Sequence, residues 1–195
     1  AANVATLAGC LGIHRGDIGP GSIPDRLHRE LAPLLLERVR RTPDHPKAAE
    51  LVCEACCAPD GAAEAPPAFD EAARMISERW TASPDITHFL ERLSYHRQRP
   101  WTGRYEPIVR AIATTTPDRY MRYRAAFTLA QLVAEAGEAR QDEARELFVR
   151  FVADCKPDRV DPSVSSLVEE MVEQATREID ALLVRGIGGP APALT

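Results

Sequence analysis

The fold class is decided by residues 121–155, which read MRYRAAFTLAQLVAEAGEARQDEARELFVRFVADC. The first part, 121–136, is rich in alanine and apolar over a wide face, and Gly137 ends it. The second part, 142–155, carries its apolar side chains in one stripe at the spacing of an α-helix. A short connection between two amphipathic helices makes them antiparallel neighbours. This stretch therefore predicts a helical hairpin.

The same periodicity continues toward both ends of the chain, and no segment shows the alternation typical of a β-strand. Start signals and apolar stripes predict further helices at 22–41, 46–57, 69–80, 86–93, 105–112 and from 161 to about 185. Pro33 either kinks the first of these helices or begins a new one. The predicted fold class is all-α, built from antiparallel helical hairpins that form a right-handed stack or a bundle.

The hairpin also has features of a known repeat. Residues 123–154 resemble a tetratricopeptide repeat in the spacing of Leu129, Ala130, Gly137 and Phe148. The repeat period is not regular along the chain, so the expected architecture is tetratricopeptide-like with irregular repeats. We expect three segments: an irregular N-terminal arm at 1–21, a helical-hairpin domain at 22–185, and a linker at 186–195.

Charge and hydropathy restrict the class of partner. The 195 residues carry a formal net charge of −5, whereas nucleic acids and anionic membranes attract basic surfaces. No apolar run approaches the ~18 residues of a membrane span. We therefore expect neither a nucleic-acid partner nor a membrane span, and the sequence predicts no particular oligomeric state.

Three cysteines at the end of the second predicted helix form the sharpest local feature: Cys53, Cys56 and Cys57. A Cys-x-x-Cys pair suits thiol exchange or half of a zinc site. However, the pair lies toward the C-terminus of its helix, where the dipole disfavours a thiolate, and no second such pair exists. Three interpretations remain open: small core residues, a disulfide or redox pair, and a metal site.

Aromatic residues supply the candidate contact surface. Trp101 lies in a loop and either contacts a partner or packs internally, and Tyr105 and Tyr120 are further contact candidates. The five histidines lack the spacing of metal ligands or catalytic bases. The sequence predicts no catalytic residue, no metal ligand set and no cofactor.

A resemblance to a protein family appears at the C-terminus. Residues 187–194, IGGPAPAL, resemble the opening of a redoxin or thioredoxin-like domain of the thiol–disulfide oxidoreductase class. Residues 43–51 and 105–130 are similar to the helical region that precedes such domains in large bacterial redoxin proteins. The resemblance implies that this chain is the N-terminal helical region of such a protein. It also implies an extracytoplasmic location and catalytic cysteines beyond Thr195.

The functional hypothesis follows from this resemblance. We expect a non-catalytic helical module that docks on, positions or restricts access to an adjoining thioredoxin-like domain, or binds its client. One alternative is an independent tetratricopeptide-like module that binds a peptide or protein. A second alternative is a thiol-redox or metal-binding protein that uses Cys53, Cys56 and Cys57.

Overall fold

A computed structural model describes residues 25–56, 63–155 and 162–187. In these ranges the chain forms eight α-helices and no β-strand, which confirms the predicted all-α class. The helices are α1 (Asp25–Arg41), α2 (Ala48–Ala55), α3 (Pro67–Arg79), α4 (Thr87–Tyr95), α5 (Glu106–Thr115), α6 (Arg119–Glu135), α7 (Gln141–Asp154) and α8 (Ser165–Ile187). The predicted arm at 1–21 and most of the predicted linker, 188–195, lie outside the described residues.

The first helix contains Pro33, which the sequence predicted either to kink this helix or to begin a new one. Helix α1 continues from Asp25 to Arg41 with Pro33 inside it, so this proline does not begin a second helix. Proline has no N–H to donate to the preceding turn, but the rest of the helix still buries an apolar side. Ala32, Leu36 and Val39 on that side are at most 4% exposed. Burial of this side offsets the missing hydrogen bond.

The helices pack both as sequential pairs and with the helix after next. Helices α1 and α2, α5 and α6, α6 and α7, and α7 and α8 are sequential neighbours in contact. Contacts also join α1 with α3, α2 with α4, α3 with α5, α4 with α6, and α6 with α8. The connections from α1 to α2, from α5 to α6 and from α6 to α7 are short, which favours antiparallel neighbours. One continuous hydrophobic core results from these contacts.

Helix α6 lies at the centre of this packing. It contacts α4, α5, α7 and α8. Buried side chains therefore occur on several sides of it: Met121, Tyr123, Ala125, Phe127, Thr128, Leu129, Ala130, Gln131, Leu132 and Val133. Two of these residues, Thr128 and Gln131, share a buried hydrogen-bond network with Ser94 of α4, whose Oγ donates to Gln131 Oε1 at 2.6 Å. Such a network fixes how α4 sits on α6, because sliding would leave buried polar groups without partners.

Two local signals fix the ends of α6. The Asp118 carboxylate accepts a hydrogen bond from the backbone N–H of Met121 at 2.7 Å, which is the expected geometry of an N-cap. At the other end Gly137 has φ +104°, a conformation that side chains with a Cβ rarely adopt. This glycine turns the chain into the short 3₁₀ helix Glu138–Arg140, which leads directly into α7.

Candidate functional site

The predicted thiol cluster lies in the core. Cys53 is in the last turn of α2 and Cys56 follows that helix, and they are 2% and 0% exposed. The backbone N–H of Cys56 donates to the carbonyl of Cys53 at 3.0 Å. Among the described residues, neither of them forms a disulfide, and nor does the buried Cys155 at the end of α7. Cys57 lies outside the described residues.

Burial also opposes thiol chemistry at these positions. Loss of solvation, together with the nearby carboxylates of Glu54 and Asp85, raises the pKa of Cys53 to about 12, against a backbone hydrogen bond from Phe89 that lowers it. Burial likewise raises the pKa of Cys155 to about 12. A thiol must lose its proton to act as a nucleophile or metal ligand. At neutral pH these two thiols therefore behave as small apolar core groups.

The described residues contain no group of three or more His, Cys, Asp or Glu side chains arranged to hold a metal ion. His45 and His88, the histidines nearest the cysteines in the sequence, make other contacts. His45 Nδ1 accepts a hydrogen bond from the backbone N–H of Lys47 at 3.2 Å. His88 lies 2.9 Å from Glu91 on its own helix.

Two of the three predicted contact residues are buried. Trp101 is 6% exposed and Tyr105 is 4% exposed. Their rings pack on Phe69 of α3, with centroids 5.3 and 5.1 Å from it, and the Trp101 ring also lies 5.5 Å from His96. This placement gives Trp101 and Tyr105 a packing role and leaves little of either side chain for a partner to touch.

The hydroxyl of Tyr105 has a hydrogen-bond partner within the protein. Its hydroxyl donates to the Asp70 carboxylate at 2.6 Å. The Arg104 guanidinium lies 2.5 Å from the same carboxylate and covers the Tyr105 ring at 5.1 Å. Burial raises the pKa of Tyr105 and the hydrogen bond to Asp70 raises it further. The arrangement ties the loop before α5 to the start of α3.

The third contact candidate, Tyr120, borders an open depression. It is half-buried, and burial raises its pKa. The depression has a volume of about 180 Å³ and is lined by Asp118, Arg119, Tyr120, Tyr123, Ser163 and Val164. Tyr120 thus combines partial exposure with an aromatic ring, whereas Asp118 is already engaged as the N-cap of α6.

A larger depression lies at the C-terminal end of α4. It has a volume of about 560 Å³ and is lined by Tyr95, His96, Gln98 and Arg99. We call it the α4-end depression. Tyr95 is 66% exposed, whereas the neighbouring His96 is 3% exposed and its ring meets the Tyr95 ring edge to face at 4.9 Å. From this segment the sequence predicted Trp101 as a contact residue and not Tyr95, because only the packing decides which aromatic ring faces outward.

Arg97, which lies between lining residues of the α4-end depression in the sequence but does not line it, forms ion pairs with α6 and with the last helix. Arg97 lies 3.6 Å from Glu135 at the end of α6 and 3.9 Å from Glu178 of α8. The Arg97 guanidinium also donates to the backbone carbonyl of Ser94. Helix α8 therefore reaches the end of α4, and its last turns, with Leu183 and Val184 at 41% and 70% exposed, follow Glu178 along the same helix.

Comparisons with models of known protein families, with curated proteins and with solved structures give no match. Among the helices described, none is both long enough and apolar enough to cross a membrane.

Proposed function

We propose that this chain is a non-catalytic helical interaction module that accompanies a thioredoxin-like redox domain. In this role it docks on that domain, positions it, restricts access to it, or binds its client. The proposal draws on the resemblance of residues 43–51, 105–130 and 187–194 to redoxin proteins. The extracytoplasmic location that this resemblance implies is part of the proposal.

One observation carries the proposal: the cysteines lie in the core, whereas side chains suited to binding a partner lie at the surface. The thiols of Cys53 and Cys56 are enclosed in the core, where ionisation is unfavourable. By contrast, the exposed Tyr95 and the partly exposed Arg99 line the α4-end depression. Tyrosine and arginine are the residue types enriched where proteins bind one another. This division favours recognition over chemistry.

Packing supports a second candidate, an independent tetratricopeptide-like module that binds a peptide or protein. Each of α1, α2, α3, α4 and α6 contacts the helix after next, as expected when helical hairpins are stacked. The thiol-redox or metal-binding alternative has less support, because Cys53 and Cys56 would have to leave the core to meet an oxidant or a metal.

The reading frame beyond Thr195 is the first test of the proposed function. We expect it to continue into a domain with a Cys-x-x-Cys motif. That domain is then produced separately, labelled with ¹⁵N, and titrated with the helical chain while its amide spectrum is recorded. Saturable shifts on one face of the domain are the expected result.

Rate measurements give the functional readout. Insulin disulfide reduction by the isolated domain is compared with that by the linked protein, and we expect the linked helices to change the rate. A reading frame that ends near Thr195 with no redox domain would overturn the leading proposal and favour the independent peptide-binding module. Absence of both spectral shifts and a rate effect, in a protein that does contain the domain, would overturn it equally.

A further inference from the structure

Arg99 offers an uncommitted positive charge to the α4-end depression. Within the described residues its guanidinium forms no ion pair. The side-chain amide of the neighbouring Gln98 forms no hydrogen bond there either. Arg97, only two residues earlier, differs in having two carboxylates within 4 Å, those of Glu135 and Glu178. In a chain of net charge −5, an arginine without an internal carboxylate at the edge of a depression is available to a ligand.

The chemistry around Arg99 suits one carboxylate next to an apolar group. A guanidinium presents parallel N–H donors that match the two oxygens of a carboxylate. The Gln98 amide can donate a further hydrogen bond, and the exposed Tyr95 ring offers a flat apolar wall. At about 560 Å³ the depression is large enough for more than one side chain.

Several charges nearby count against a polyanion such as a nucleic acid or an anionic membrane. The C-terminal end of α4 carries the negative end of the helix dipole. Glu135 and Glu178 lie within ion-pair distance of Arg97, and Glu91 lies one turn before Tyr95 on α4. Among the described residues, Arg99 is the one arginine that lines the depression, so a single negative charge is better matched than several.

We infer that the α4-end depression binds a peptide segment through a carboxylate held by Arg99, with an adjoining apolar side chain against Tyr95. The inference deepens the proposed interaction function and rests on it. Both a Glu or Asp side chain and a free C-terminus present the required carboxylate, and the experiment distinguishes these two sources.

Three short peptides with a fluorescent label on the N-terminal glycine provide the probes. The first is Gly-Phe-Glu-Gly-amide, the second is Gly-Phe-Gly with a free C-terminal carboxylate, and the third is Gly-Phe-Gln-Gly-amide. Fluorescence anisotropy measures binding to the complete chain. We expect saturable binding of the first or the second peptide, and affinity for the third that is at least about tenfold lower, because it lacks the charge.

Variants locate the binding site on the protein. Arg99→Gln should weaken binding of the preferred peptide by at least about tenfold, and Arg99→Lys should recover part of the loss. Tyr95→Ala should weaken it severalfold. Arg92→Gln is the matched control, since Arg92 also lies near the end of α4 and also forms no ion pair among the described residues, yet it does not line the depression. We expect it to leave the affinity within about twofold, which is its effect through net charge alone.

Four results would overturn the inference. Equal losses in the Arg99→Gln and Arg92→Gln variants would show a general charge effect and overturn it. So would equal affinity for the Glu and Gln peptides, no binding at millimolar concentration, or stronger binding of inorganic phosphate in competition. If the redox domain still docks on the Arg99→Gln variant and no peptide binds the wild type, this inference fails while the proposed function stands. If peptides bind at Arg99 and no redox domain follows the chain, this inference stands while the proposed link to a redox domain fails.

Discussion

The Arg140 guanidinium holds the Glu106 carboxylate at two points, with donor–acceptor distances of 2.5 and 3.0 Å. Arg110 donates to Glu106 at 2.8 Å, and both arginines also reach Glu143. These four residues join the first turn of α5 to the chain that leads into α7. The hydrogen bonds from Arg140, together with that from Arg110, lower the pKa of Glu106 to about 2 despite its burial.

Glu106→Gln should lower the free energy of unfolding by about 1–2 kcal/mol near neutral pH. The reason is that the guanidinium groups of Arg110 and Arg140 lose a charged, half-buried partner. Urea denaturation followed by far-UV circular dichroism measures the change. The folded-state pKa is depressed, so the stabilisation is complete above the unfolded value near 4.5 and is lost as the pH falls toward about 2. We therefore expect the difference between wild type and variant to shrink below about pH 4.

A matched control for this prediction lies on α8. Glu173 and Arg177 form an i, i+4 pair at 3.6 Å in which both side chains are about 70% exposed. Glu173→Gln should cost less than about 0.5 kcal/mol, because exposed pairs contribute little. Equal losses for the two variants, or a Glu106→Gln difference that persists unchanged in acid, would contradict the assigned role of Glu106.

The sequence predicted the helices because their signals are local. Apolar spacing and start signals of the kind seen at Asp118 act within one or two turns, so the existence of each predicted helix agrees with the structure. The boundaries moved by a few residues: α2 is Ala48–Ala55 where 46–57 was predicted. Helix ends depend on which residues the neighbours cover, which local patterns do not record.

The roles of individual side chains were less predictable because they depend on distant partners. Tyr105 donates to Asp70, 35 positions away, and Arg140 reaches Glu106 across 34 positions. No spacing rule links such pairs before the helices are packed. Trp101 and Tyr95 illustrate the consequence, since they lie six residues apart and only the packing buries one and exposes the other. The link to a redox domain stays a prediction, because residues 188–195 lie outside the described part of the chain.

Native alkylation should distinguish the core cysteines from reactive ones. We expect Cys53, Cys56 and Cys155 to resist iodoacetamide in the folded protein and to react fully in denaturant, because they are buried and not in disulfides. Peptide mass spectrometry assigns the modification to each position. Raising the pH to about 9 converts most of an ordinary thiol of pKa near 8.5 to thiolate, but should have little effect on Cys53, whose pKa is raised to about 12. Native labelling of Cys53 at the rate of free cysteine would revive the thiol-redox hypothesis.

Tyr105→Phe tests the packing role of a residue that was predicted as a contact. The variant keeps the ring on Phe69 and removes the hydroxyl, which donates to Asp70 at 2.6 Å and accepts from Arg104 at 3.0 Å. We expect a loss of about 1 kcal/mol in the free energy of unfolding, measured by chemical denaturation. Tyr123→Phe is the control, because its hydroxyl meets the Asp154 carbonyl at a longer 3.4 Å and borders a depression open to water. A Tyr123→Phe loss as large as that of Tyr105→Phe would show that the Asp70 contact has no special weight.

Gly137→Ala tests the turn that joins α6 to α7. Gly137 has φ +104° and ψ 174°, and no atom lies within 4 Å of the position that a Cβ would occupy. The expected loss of about 1–3 kcal/mol in unfolding free energy therefore comes from backbone strain alone and not from a clash. Gly103→Ala is the matched control, since its Cβ position is equally open and its φ is not positive. We expect it to be neutral or to stabilise by up to about 1 kcal/mol, because alanine has fewer unfolded conformations than glycine. If thermal and urea unfolding give the same stability for both variants, the conformation of Gly137 does not limit the connection between α6 and α7.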